Sequence, residues 1–183
     1  MGAPGSFTAI HKDHYHNLHA VLTGAKVFTI APPTDIAFLR ERPLRAGTFL
    51  EERSTGLEGG GTGAWQVLPD PDGAHVPWLT VDVGGQPGSC GVASGCPMPL
   101  ASLISRVSVR VGRGDVLFLP AFWLHAVENE SLAIAVNHWF NCDEAFTGPA
   151  WAAMKIARAL APVLEAEAAS GHANKEGSER GGG

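Results

Sequence analysis

The chain has 183 residues, a formal net charge of −5 and 45% hydrophobic residues, enough for one soluble domain with a sizeable core. It carries no basic patch or aromatic-rich basic stripe, so no direct nucleic-acid partner is expected. No apolar run is long enough to span a bilayer and no basic-then-apolar leader opens the chain, so neither a membrane partner nor secretion is expected. The chain reads as intracellular, cytoplasmic and/or nuclear.

In chain order the first half reads mainly as strands. Residues 6–10 alternate and run into His11-Lys12-Asp13. Leu18 to Leu22 and Lys26 to Ile30 flank Thr23-Gly24-Ala25, which reads as a hairpin turn. Pro32-Pro33 ends the second of these strands, because proline cannot donate to a ladder. Residues 46–103 are rich in glycine and proline and read as a long loop whose one good strand candidate is Trp78 to Val83; loops of that length are often functional. Strand signals resume at Ser105 to Val111, then a Gly112-Arg113-Gly114-Asp115 turn, Val116 to Leu119, and Leu132 to Phe140. Many short strands with turn punctuation predict an antiparallel sandwich or small barrel. Cys90, Cys96 and Cys142 read as free thiols, since the count is odd and the first two lie at a spacing unlike the common zinc pattern.

The C-terminal part changes character. Thr147-Gly148-Pro149 reads as a helix start and Ala150 to Ala169 is rich in helix formers, with Pro162 kinking or dividing the helix. Trp151, Met154, Ile156, Leu160, Val163 and Leu164 are helically spaced, giving an apolar face that needs the barrel or a second copy of the chain, so a homodimer through this helix is expected. From Gly171 the composition predicts a disordered tail. The expected division is therefore a barrel over 1–145, a helical segment over 146–170 and a tail over 171–183.

The chemistry-bearing residues sit at the two ends of the strand-rich part. His11 and Asp13 are two positions apart, and in a strand such residues point to the same face, so both can reach one metal ion. His125 lies far downstream in Leu-Pro-Ala-Phe-Trp-Leu-His-Ala-Val and would supply a third ligand from a neighbouring strand. Two imidazoles and one carboxylate are the ligand set of a non-haem Fe(II) site, which leaves positions open for a cosubstrate and dioxygen. A His-x-Asp match alone is weak. Lys26 adds to it by interrupting an apolar strand, because a core-facing lysine is costly unless an anion pairs with it. A dicarboxylate bound to the iron would be that anion, with Thr8 and Asn17 expected on the face of His11 and Asp13.

Residues 7–28, Phe-Thr-Ala-Ile followed by His-Lys-Asp-His-Tyr-His-Asn-Leu-His-Ala-Val-Leu-Thr-Gly-Ala-Lys-Val-Phe, carry one motif block, and 109–127 with 134–140 carry the other. Together they resemble the JmjC-domain Fe(II)- and 2-oxoglutarate-dependent oxygenases, closest to the small branch of lysyl and asparaginyl hydroxylases, and Val-Pro-Trp-Leu-Thr-Val-Asp-Val at 76–83 is similar to the same branch. The resemblance implies a mostly β protein with a double-stranded β-helix (jelly-roll or cupin-like) barrel. It implies that His11, Asp13 and His125 ligate Fe(II), and that Lys26 and Thr8 bind the distal carboxylate of 2-oxoglutarate with Asn17 and Asn137 nearby. Trp139 would line the substrate side. The implied reaction is hydroxylation of a protein side chain, lysyl first, with 2-oxoglutarate and O2 consumed. Histone lysine demethylation is the alternative within the class, less favoured because no reader domain or basic chromatin-binding region accompanies the motifs. A non-catalytic cupin-like metal-binding or interaction module is the alternative outside it, and Lys26 and Asn17 argue against that.

The remaining histidines receive other expectations. His14 and His16 have the opposite parity to the ligands and read as surface or structural; His138 should point outward; His75 and His172 fall in loop and tail. His19 shares the ligand parity but receives no role, standing where the family often carries an aromatic. Phe122 and Trp123 read as core. By the resemblance, Met1-Gly2 looks like an internal stretch of the family, so an N-terminal truncation is expected. That would leave an open sheet edge and remove a tyrosine that helps hold 2-oxoglutarate in related enzymes, a place Tyr15 cannot take by motif position.

Overall fold

The structure is a computed structural model, and it describes residues 1–39, 41–51, 65–79, 100, 103–141 and 144–179. In chain order these form β1 (Phe7–His11), β2 (His16–Thr23), β3 (Ala25–Ala31), the 3-10 helix η1 (Pro33–Phe38), β4 (Glu41–Arg45), β5 (Gly47–Glu51), β6 (Trp65–Pro69), β7 (His75–Leu79), β8 (Val107–Gly112), β9 (Val116–Leu119), β10 (Leu124–Asn129), β11 (Ile134–Phe140) and α1 (Glu144–Glu179). Cys90, Cys96, Cys142 and the 80–83 part of the expected strand lie outside the described residues.

Successive strands at both ends of the chain alternate between two antiparallel sheets. One has the order β1-β10-β3-β8 and the other β11-β2-β9. This corrects the expected hairpin at Thr23-Gly24-Ala25: β2 and β3 leave that corner into different sheets. The turn residues signal a sharp bend, but not which strand the chain pairs with next. Gly24 is required there, since its φ is +75° and a Cβ would run into the Leu132 carbonyl oxygen and lie 2.8 Å from Ala133 Cα. The Gly112-Arg113-Gly114-Asp115 bend makes the same kind of crossing from β8 to β9. Asp115 Oδ2 accepts the Gly112 N–H at 2.9 Å, and the Gly114 N–H donates to the Val21 carbonyl at 2.8 Å. The result is the mostly β, cupin-like fold with a C-terminal helix that the motifs imply.

Two cores flank the first sheet. Between the sheets, Val21, Phe28, Val111, Leu119 and Val127 pack together. On the outer side, Ile10, Ala31, Leu124 and Ala126 meet Ile36, Leu39, Met154 and Ala157 of η1, its flank and α1. The strand β10 serves both, with Leu124 and Ala126 toward the helix and Val127 between the sheets, which is why nearly all of it is buried. Met154 is fully buried, and such a side chain removed from water is worth about 1.5–3 kcal/mol. Part of the helical apolar face is thus covered by this chain itself, while Ile156, Leu160 and Val163 stay more than half exposed.

The helix departs from expectation at both ends. It begins at Glu144 rather than after Thr147-Gly148-Pro149, and Pro162 does not divide it; packing of Met154, Ala157 and Leu164 against the outer core offsets one lost backbone bond. It also runs to Glu179, so the stretch from Gly171 expected to be a disordered tail is helical to that point. Extending a formed helix needs no new nucleus, and Ala173, Lys175 and Glu176 are good helix formers. His172 accordingly lies in α1.

Residues 41–78 form a compact unit of their own. Here β5 pairs with β6 from Gly47↔Pro69 to Glu51↔Trp65, β4 pairs with β7, and Thr48 Oγ1 donates to Asp70 Oδ1 at 3.0 Å. The described part of 46–103 is therefore strand-bearing rather than the expected loop, and His75 begins a strand. These strands were hard to read because neither face is buried: Phe49, Leu50, Val67 and Leu68 are all exposed, so the apolar residues do not alternate.

Candidate metal centre

The bond network around His11 and His125 decides which ring nitrogen faces inward. His11 Nδ1 lies 2.8 Å from the Ala9 carbonyl oxygen and His125 Nδ1 lies 3.0 Å from that of Trp123. A carbonyl only accepts, so each Nδ1 carries a hydrogen and each Nε2 is left with its lone pair, the arrangement a metal ligand needs. The strands β1 and β10 place the two residues directly opposite one another, with ring centroids 4.2 Å apart. Asp13 follows just after β1, its carbonyl accepting the Phe122 N–H at 2.8 Å. His125 Nε2 then stands 3.8 Å from Asp13 Oδ2, too far for a hydrogen bond. One ligand atom from each of His11, Asp13 and His125 lies within 4.8 Å of the others, close enough to share an ion. Burial first, and His11 second, hold His125 below the usual imidazole range, which keeps Nε2 unprotonated.

Phe122 matters to this arrangement through its backbone. It has φ +67° in the turn whose Trp123 N–H returns to the Pro120 carbonyl at 3.2 Å, a position that glycine usually fills. The side chain is nevertheless buried, against Trp151 with centroids 5.3 Å apart. Packing thus holds a strained residue whose N–H fixes Asp13.

Beyond the three ligands, the register puts further polar groups on the inner faces. Pairing of β10 with β3 sets His125 opposite Ile30, Val127 opposite Phe28 and Asn129 opposite Lys26. Lys26 is therefore on the same face as His125 and about 13 Å along the strand from Ile30. Burial lowers its pKa, and no carboxylate among the described residues pairs with it. In the other sheet, Asn17 and His19 share a face with Trp139 and Asn137, their β11 partners, and with Leu119 and Leu117 of β9. Asn17 is 4% exposed with Oδ1 unbonded. Asn137 bonds to the His19 side chain, and Trp139 is 55% exposed.

Two expectations are met by devices that alternation does not show. Thr8 and His11 are three residues apart, so a regular strand would set them on opposite faces. An irregularity in β1 between Thr8 and His11 lets Thr8 pair with Val127 and His11 with His125, both on the inner face. Asp13, expected within the strand, lies beyond its end and is aimed by the Phe122 bond. His16 is structural as expected, its Nδ1 accepting the Ala121 N–H at 2.9 Å, and His138 is exposed. His19 is the residue left without a role on sequence. It is 7% exposed, packs edge-on against Phe28 with centroids 4.9 Å apart, and its Nε2 has no partner. Burial, then Lys26, then His125 push its pKa down to about 4. Its parity with the ligands was the one available signal.

Among the described residues no helix is long and apolar enough to cross a membrane. The cupin-like domain family matches residues 1–146. The chain is 31% identical over 144 residues to the human bifunctional peptidase and (3S)-lysyl hydroxylase JMJD7, covering 78% of this chain and 40% of that protein. It is 30% identical over 148 residues to JmjC domain-containing protein E of Dictyostelium discoideum, covering 77% and 41%. With lysine-specific demethylase JMJ32 of Arabidopsis thaliana the identity is 32% over 157 residues, covering 77% and 40%. The chain thus spans about two-fifths of the length of these curated relatives. With the family matching most of the chain and the two-sheet fold in place, this chain belongs to the cupin-like domain family, as a JmjC-type member.

Proposed function

We propose that this chain is an Fe(II)- and 2-oxoglutarate-dependent dioxygenase that hydroxylates a side chain, lysyl first, of an intracellular protein. The observation that carries the reading is the pairing of a His11, Asp13 and His125 cluster, both imidazoles turned with Nε2 inward, with a partly buried lysine that no carboxylate among the described residues pairs with. The donor set suits the metal: two neutral imidazoles and one carboxylate favour Fe(II) at a site with open positions.

In this reading His11, Asp13 and His125 hold the ion. The carbonyls of Ala9 and Trp123 keep both rings in the ligating tautomer. Lys26 pairs with the distal carboxylate of 2-oxoglutarate, Thr8 stands on the same face across β10, and Asn17 and Asn137 border the cosubstrate. Phe28, Val111 and Val127 exclude water from that end, which strengthens the charge pair. When bound, Fe(II) with 2-oxoglutarate and O2 supplies the oxidising chemistry. Trp139 offers an exposed aromatic surface to the protein substrate. Demethylation is the second reading, favoured by the similar identity to the Arabidopsis demethylase.

The experiment is conversion of 2-oxoglutarate to succinate by the purified chain with Fe(II) and ascorbate under air. Turnover that disappears in His125→Ala is expected; an iron-loaded, folded chain with no turnover counts against the reading. Lysyl and methyl-lysyl peptides added to the same assay separate hydroxylation from demethylation by product mass. We also propose that α1 supports a homodimer through Ile156, Leu160 and Val163; light scattering that shows a monomer at high concentration would remove that proposal.

A further inference from the structure

The turn Pro120-Ala121-Phe122-Trp123 is bonded to two of the three metal ligands, one on each side. On its first side the Phe122 N–H donates to the Asp13 carbonyl at 2.8 Å and the Ala121 N–H donates to His16 Nδ1 at 2.9 Å. The segment that carries Asp13 is thus fastened to the Ala121–Phe122 peptide. On its second side the Trp123 carbonyl accepts from His125 Nδ1 at 3.0 Å and fixes that ring. The N–Cα bond of Phe122 lies between the two anchors. Its torsion, φ +67°, therefore sets where Asp13 stands relative to His125, with Oδ2 of one 3.8 Å from Nε2 of the other.

Phenylalanine does not keep that torsion by itself. A residue with a Cβ disfavours the left-handed region, and it persists there only where its surroundings over-determine it. The Phe122 side chain belongs to the outer core, and two rings lie against it. Trp151 of α1 is 5.3 Å away between centroids, His14 stands edge-on at 5.4 Å, and these two rings are 6.1 Å from one another. Helix register brings Trp151 to this place. Met154 and Ala157, three and six residues on, are buried in the outer core and lock that face of α1. Trp151 itself stays 36% exposed, so it contributes less to the core than Met154 while covering the ring whose backbone joins two ligands.

We propose that Trp151 is a positioning residue of the metal centre. By covering the Phe122 ring it holds the turn at positive φ, and through the turn it keeps Asp13 and His125 at the separation one ion needs. Relaxation of φ would turn the Phe122 N–H, and the Asp13 segment with it, away from β10. The helix is thereby part of the centre although it supplies no ligand. This rests on the metal site of the function proposed above and adds its support from α1.

The test is Zn(II) titration of the full chain, with melting of the metal-free protein read alongside. Trp151→Ala is expected to weaken Zn(II) binding by about 10- to 100-fold, the range for losing a group that orients a ligand, and Trp151→Phe should restore most of it. The coupling between the Phe122 amide and Hα hydrogens, which reports φ, should change in metal-free Trp151→Ala and return in Trp151→Phe. Met154→Ala is the control for packing: it opens the core under the same helix, should melt below Trp151→Ala, and should keep the parent's Zn(II) affinity while folded. Should Trp151→Ala fail to fold, Trp151→Leu, which keeps an apolar side chain without the ring, is judged by the same titration. Unchanged affinity in the Trp151 variant, or an equal loss in Met154→Ala, would overturn the positioning role and leave the dioxygenase reading intact. A parent chain that binds no Zn(II) would overturn both.

Discussion

Asp13→Ala is expected to lower Fe(II) affinity by at least about 100-fold, beyond the 10- to 100-fold typical of losing a group that merely supports a ligand. Asp13 is the one carboxylate in the cluster among the described residues. Without it two imidazoles remain, facing a dication with no anionic donor. The substitution should leave the local backbone in place, because the bond from the Phe122 N–H goes to the Asp13 main-chain carbonyl and alanine keeps it. The carboxylate is also about one-third exposed, so little packing is lost and melting of the metal-free chain should shift by no more than a few degrees. Anaerobic Fe(II) titration of the two proteins decides it. Unchanged stoichiometry and affinity would remove Asp13, and with it the site, from the assignment.

Lys26→Met separates stability from binding. Without a bound anion the partly buried lysine cation is a burden: burial pushes its pKa down, so the charged form is held against its preference, and no carboxylate among the described residues relieves it. Methionine keeps most of the volume and removes the charge, so the metal-free variant should melt at the same temperature as the parent or higher. Affinity for 2-oxoglutarate should move the other way. Removing one member of a buried charge pair costs about 2–5 kcal/mol, roughly 30- to 4,000-fold in Kd. Calorimetric titration of the Zn(II)-loaded proteins with 2-oxoglutarate measures it. Equal affinity would show that Lys26 takes no part in binding and that the dicarboxylate binds elsewhere or not at all.

Both outcomes depend on residues that could be picked out before folding, for different reasons. His11 and Asp13 stand two apart, so their neighbourhood is a local property. Lys26 stands out because it breaks an apolar strand. The mostly β character followed from strand signals and turn residues, and the Gly112 to Asp115 bend falls where its composition placed it. The strands of 41–78 were obscured because their apolar residues are exposed on both faces, and the helix continued past Gly171 because extension depends on the turn already formed rather than on local composition.

By itself the sequence determined what is short-range: which residues can ligate, where the chain bends, where an ammonium is placed among apolar neighbours. Tertiary structure alone decided the rest. It set β2 and β3 in different sheets across Gly24, brought Thr8 to the inner face through an irregularity in β1, aimed Asp13 through a strained Phe122, and packed His19 of one sheet against Phe28 of the other. The physical reason is common to all four. Side-chain direction along one strand alternates by rule, but which strands become neighbours, and at what register, is settled by packing between residues up to more than a hundred positions apart, such as His11 and His125.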